Sequence, residues 1–233
     1  MTIRPSRSSV WMTLNRSRNG RGRLTLILWR RPDPSKRYVM AIDVSSGGSY
    51  DYSAIQVVCV DDFEQVAEWQ GKTDPDLVAQ EAYRIGRVFN NATAVPEITG
   101  GWGFTVDQEL KRLGYRPLYT RTGWDRITKK WTDRTGWDTN MKSRANMLDT
   151  LERALREKEF GLFSPRAVAE LGAFVYEKRK DGSLGKPEAR DGANDDLVMA
   201  LAIAVTVAAS LPREKKKRRA HRAKPSYPWQ HAA

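Results

Sequence analysis

Residues 197 to 211 form the most apolar helical run of the chain, and two aspartates, Asp195 and Asp196, stand directly before it. The run is 15 residues long, short of the roughly 20 that a membrane-spanning helix needs. It is therefore expected to be a core helix, 195–210, with no role in a membrane. Its burial brings carboxylates to the edge of a core, where they are costly unless something positive neutralises them. Two more acids stand in similar places. Asp43 interrupts the strand-like run Tyr-Val-Met-Ala-Ile-Asp-Val, and Glu97 closes Ala-Val-Pro-Glu-Ile. Acids from three distant stretches point to one site whose partner is a divalent metal.

The two histidines, His221 and His231, both lie in the C-terminal tail, so the body of the chain has none. This excludes histidine-ligated nuclease metals, Ser-His-Asp hydrolysis and Cys-His nucleophiles there. Chemistry in the body must use carboxylates, lysines, tyrosines or hydroxyls, with or without metal. The one cysteine, Cys59, rules out a disulfide framework within the chain and fits a reducing compartment as a buried small hydrophobe. The N-terminus is basic but lacks the apolar run and small-residue cleavage site of a secretory signal.

The net charge of +12 is concentrated at the two ends. Residues 1–37 carry ten basic residues and one acid, and residues 213–224 carry eight and one, which leaves the remainder at −4. Basic flanks around a mildly acidic body suit a polyanion, with nucleic acid ahead of an anionic membrane. The organisation follows: a basic N-terminal segment and linker over 1–37, one domain over 38–211, and a basic disordered tail over 212–233. Residues 1–23 are expected to be poorly ordered, with a further strand over 24–29.

Within the domain, alternating apolar patterns predict strands over 38–44, 54–60 and 63–69, joined by short turns as an antiparallel meander. From Asp74 the period becomes helical, with Asp74 as N-cap and Pro75 in the first turn. A strand over 93–98, a helix over 103–113 and a strand over 116–120 follow. Helices are expected over 140–158 and from Pro165, and a hairpin over 174–188 around Asp181-Gly182. This order predicts an α/β domain with a mixed sheet. The repeated Arg-Thr-Gly-Trp-Asp at 121–125 and 134–138 is read as a basic, aromatic loop. Its Arg126, Lys129 and Lys130, beside Trp124, Trp131 and Trp137, suit a nucleic-acid groove. Lys142 and Arg144, at the start of the 140–158 helix, are candidates to hold a phosphate.

Four segments then carry a resemblance. Ala-Ile-Asp-Val-Ser-Ser-Gly-Gly-Ser-Tyr-Asp-Tyr-Ser-Ala (41–54) is similar to the first motif of the nuclease domain of tailed-bacteriophage large terminase subunits. Pro-Glu-Ile-Thr-Gly-Gly-Trp-Gly (96–103) resembles the second motif, and 135–144 resembles the segment leading into its long helix. Gly-Ala-Asn-Asp-Asp-Leu-Val-Met-Ala-Leu (192–201) resembles the last and most specific motif. The resemblance covers about residues 24–210 in the family's order. It implies an RNase H-like fold: a mixed sheet of antiparallel meander plus parallel strands, flanked by helices. It also implies a metal-dependent endodeoxyribonuclease that cuts concatemeric viral DNA during genome packaging. Asp43, Glu97, Asp195 and Asp196 would be the catalytic acids and the ligands of two divalent ions, Mg2+ or Mn2+. Asp51 would be an outer ligand or a turn residue. The implied partners are double-stranded DNA, an ATPase motor domain, the small terminase and the portal, in the host cell cytoplasm.

Terminases join this nuclease to an ATPase. Here Gly71-Lys72-Thr73 follows a strand, but the phosphate-loop pattern needs glycine at position 66 and the residue is Val66. No ATPase motif is therefore expected in this chain. Two rival readings stay open: a junction resolvase or transposase-type nuclease on the same fold, and a non-catalytic basic DNA-binding module.

Overall fold

The computed structural model describes residues 12–16, 24–46, 52–125, 128–178, 184–189 and 194–213. Strands β1 (Met12–Arg16) and β2 (Leu24–Leu28) pair antiparallel. β3 (Tyr38–Asp43), β4 (Ser53–Cys59) and β5 (Glu64–Gly71) form the expected antiparallel meander. After α1 (Pro75–Val88), β6 (Thr93–Pro96) returns parallel to β3. The sheet has six strands in the order β1-β2-β5-β4-β3-β6. It thus extends upstream of the domain start expected at residue 38. β1 also falls where an unordered segment was expected, because Met12–Arg16 finds a partner along the whole of β2.

α2 (Trp102–Arg112) follows β6, and β7 (Thr120–Asp125) pairs antiparallel with β8 (Lys130–Thr135) as a separate hairpin. The basic aromatic segment is therefore a hairpin rather than a loop. Cross-strand partners Trp124 and Trp131 meet edge to face, with ring centroids 5.7 Å apart. Such a pair supports a two-stranded ribbon that lacks a third strand. The strand expected over 116–120 reduces to one parallel bridge between Ala94 and Leu118 before β7 begins. α3 (Met141–Arg156), α4 (Pro165–Ala173), the antiparallel pair β9 (Phe174–Lys178) and β10 (Leu184–Ala189), and α5 (Asp196–Ser210) complete the chain.

Period-two alternation divides the apolar side chains of the sheet into two layers. Tyr38, Met40, Ile42, Ile55, Val57 and Trp69 pack with α1 and α2 on one face. Val39, Ala41, Ala54 and Val58 pack with α3, α4 and α5 on the other. α5 lies over β3 and β4 and is covered in turn by α3 and α4. Residues Leu197 to Val205 are buried without a break, since the helix has protein on every side. Among the described residues no helix is long and apolar enough to cross a membrane.

Candidate active site

Asp43 is the last residue of β3. Alternation puts it on the same face as Val39 and Ala41, the face that α5 covers. Beside it, β6 runs parallel in a register that pairs Ile42 with Pro96. The next residues along the two strands are Asp43 and Glu97, and the Glu97 N–H donates to the Ile42 carbonyl at 2.9 Å. The parallel pairing thus delivers two carboxyls to adjacent strand ends.

The segment after β6 is fixed from both sides. Trp137 N–H donates to the Pro96 carbonyl at 2.8 Å, and Ile98 N–H donates to the Trp137 carbonyl at 2.8 Å. The glycines of this segment serve two purposes, backbone conformation at Gly100 and Gly101 and close approach at Gly103. Gly100 and Gly101 have φ of +84° and +96°, conformations that side chains disfavour. At Gly103, a methyl group would overlap the carbonyl oxygen of Glu97, so α2 starts directly against the backbone that carries the acid.

The Asp43 and Glu97 carboxyls are hydrogen-bonded to each other, and the Asp43 carboxyl is held well above its ordinary pKa. Burial is the largest cause, followed by the charge of Glu97 and its hydrogen bond, then Asp196, then Asp195. The start of α5 is therefore close enough to act electrostatically on the strand-end pair, and Asp196 acts more strongly than Asp195. Asp195 and Asp196 thus lie within electrostatic reach of the strand-end pair. Asp195 also receives an ion pair from α3: Arg144 Nη2 lies 3.2 Å from its Oδ2. Arg144, expected as a phosphate contact, is thus engaged with an acid of the cluster.

Lys142 is exposed in the first turn of α3, and Lys129 and Lys130 are exposed at the tip of the β7–β8 hairpin. Asp51 and Arg126 lie outside the described residues. Among the described residues no three His, Cys, Asp or Glu side chains are grouped closely enough to hold a metal ion as they stand. The donor chemistry nevertheless fits a hard cation: all four groups offer carboxylate oxygen.

Glu170 was not anticipated from the sequence. Its Oε2 accepts from the N–H of Leu197 at 3.0 Å and of Val198 at 3.2 Å. Its pKa rises to about 7, mainly through burial, with the charges of Asp196 and Glu68 adding to the shift. One turn earlier on α4, Arg166 grips fully buried Glu68 at 2.6 Å. Glu68 in turn accepts from Gln56 Nε2 at 2.8 Å. This buried network ties α4 to the floor of the sheet next to the start of α5.

At the level of sequence, no family model and no curated protein matches the chain. Solved structures do match in three dimensions. The large terminase nuclease from thermophilic phage G20c with bound cobalt is 16% identical, with a TM-score of 0.63 over 85% of this chain and 90% of that one. The same nuclease with bound magnesium gives 16% identity and a TM-score of 0.61 over the same shares. The large terminase nuclease domain of Thermus phage P74-26 is 18% identical, with a TM-score of 0.59 over 77% of this chain and 83% of that one. The chain has the mixed α/β fold of phage large terminase nuclease domains.

Proposed function

We propose that the chain is a metal-dependent DNA endonuclease that hydrolyses phosphodiesters during viral genome packaging. The observation that carries the reading is the hydrogen-bonded Asp43–Glu97 pair at two parallel strand ends, within electrostatic reach of Asp195 and Asp196. An acid cluster of this kind suits cations better than any polyanion. Similar folds that bind cobalt or magnesium support the same assignment.

Asp43, Glu97 and Asp196 would hold divalent metal, with Asp195 joining them when Arg144 yields. Bound there, two such ions supply water activation and neutralisation of the leaving oxygen. In the hydrolysis a water oxygen bonds to phosphorus, one phosphorus–ester oxygen bond breaks, and the departing oxygen ends protonated. Asp43, whose carboxyl favours its protonated form, would give up that proton to hold metal beside Glu97. Arg144 keeps Asp195 neutralised until then. Exposed Lys142, Lys129 and Lys130 offer contacts to phosphates away from the cut, which position DNA without reading its sequence.

The test is cleavage of supercoiled plasmid by the purified chain in Mn2+ or Mg2+, with a four-way junction as competitor. Nicked and linear products that vanish with EDTA and in Asp43→Asn support the reading. Strong preference for the junction favours a resolvase, and no metal-dependent cleavage favours a binding module.

A further inference from the structure

Aspartate is among the best residues for capping a helix N-terminus, because its side chain accepts from the N–H groups two and three positions on. Asp195 holds the N-cap position of α5 yet makes no such bond. The two N–H groups it would satisfy are those of Leu197 and Val198, and both donate to one oxygen of Glu170. A residue 25 positions earlier, on another helix, therefore does the work of the cap. Its own placement is firm. Arg166 and Glu170 lie one turn apart on α4. Arg166 is locked to Glu68 and, at 3.0 Å, to Gln70. The N–H groups of Phe163 and Ser164, just before α4, donate to Gln65 at 3.0 and 2.8 Å.

We propose that Glu170 is a positioning residue for the acid cluster: by capping α5 from outside, it releases Asp195 from the capping role and holds the Asp195–Asp196 step facing Asp43 and Glu97. The inference rests on the metal-dependent reading above. Without Glu170, Asp195 is the nearest acceptor for the two N–H groups. It would turn back onto its own helix, away from the strand ends. The need for an outside cap follows from the chemistry. One carboxylate cannot both cap the helix and serve the cluster, and Leu197 and Val198, whose N–H groups need the acceptor, are buried residues.

The experiment compares the full chain with Glu170→Ala and Glu170→Gln. It measures Mn2+ affinity by calorimetry, amide hydrogen exchange at Leu197 and Val198, and plasmid cleavage. Glu170→Ala is expected to weaken Mn2+ binding by about 10-fold or more, as loss of an outer-shell partner does, and to speed exchange at both amides. Glu170→Gln keeps an oxygen that accepts both bonds, so its Mn2+ affinity and amide protection should stay near wild type. Equal weakening in both variants, or in neither, overturns the proposal; the first result would make Glu170 a charge or a ligand instead of a cap. If Glu170→Ala does not fold, the wild-type protein decides through its amides. Exchange at Leu197 and Val198 as slow as in the middle of α5 supports the cap, and fast exchange there overturns it. A wild-type chain that binds no Mn2+ and cuts no DNA removes the nuclease reading and this inference with it. Mn2+ binding that Glu170→Ala leaves unchanged removes this inference alone.

Discussion

Asp43 and Glu97 sit at the adjacent ends of parallel strands β3 and β6, and their carboxyls are hydrogen-bonded to each other. Two half-buried acids in contact repel each other unless one of them keeps a proton or a cation stands between them. Asp43→Asn keeps a hydrogen-bonding partner for Glu97 and removes the surplus charge. The variant is expected to melt at or above the wild-type temperature in EDTA. It should lose the rise in melting temperature that millimolar Mn2+ gives wild type through binding to the folded state. Differential scanning fluorimetry of both proteins, with and without Mn2+, checks this, and an equal Mn2+ shift in the two would count against Asp43 as a ligand.

Stability should fall as pH rises over a defined window. The folded-state pKa of Glu170 is raised from 4.5 to about 7. Between these values the folded protein keeps a proton that the unfolded chain has released. The contribution of Glu170 is therefore full below pH 4.5 and is lost as pH rises to about 7. Asp43 is shifted in the same direction. Melting curves in EDTA across this window should show the decline, and Glu170→Gln should flatten it. A variant as steep as wild type would show that Glu170 is not the titrating group.

Arg144 competes with any cation for Asp195, which it meets at 3.2 Å. Both side chains are partly exposed, so Arg144→Ala should cost under about 1 kcal/mol of stability. Mn2+ binding should become tighter in the variant, as read by calorimetry. Unchanged or weaker binding would remove Asp195 from the ligand set.

Gly103→Ala forces a methyl group onto the Glu97 carbonyl oxygen. Overpacking of backbone against backbone is expected to cost roughly 1–3 kcal/mol in urea denaturation. Because Glu97 must shift, the Mn2+ stabilisation should shrink at the same time. Retention of both stability and the Mn2+ effect would show that the approach of α2 does not fix the acid.

Lys129 and Lys130 are exposed at the hairpin tip. If the hairpin lies along DNA, replacing both by alanine removes two phosphate contacts. The slope of log affinity against log salt should then become shallower by roughly 2. Fluorescence anisotropy over a salt series measures it, and an unchanged slope would place the hairpin away from DNA.

The positions of the acids were legible because each borders an apolar pattern. Alternation through Val39 and Ala41 sets the face of Asp43, and the continuous apolar run sets α5 behind Asp195 and Asp196. Two features were hidden for physical reasons. The β7–β8 hairpin is largely exposed along β8 and shows no inside–outside alternation, so its strands read as loop. Glu170 acts through the packing of α4 on α5, and no local spacing marks a carboxylate that caps a different helix. The role of β2 as a sheet member also depends on a distant pairing with β5 across Thr25–Leu28 and Ala67–Gln70. The sequence pattern marked the strand and left its partner open.

The most direct test of the acid cluster is anomalous diffraction from a crystal of the wild-type chain soaked in Mn2+. Manganese peaks within coordination distance of Asp43, Glu97 and Asp196 are the predicted result. A well-ordered soaked crystal with no peak at these three side chains, or with manganese only elsewhere, would contradict it.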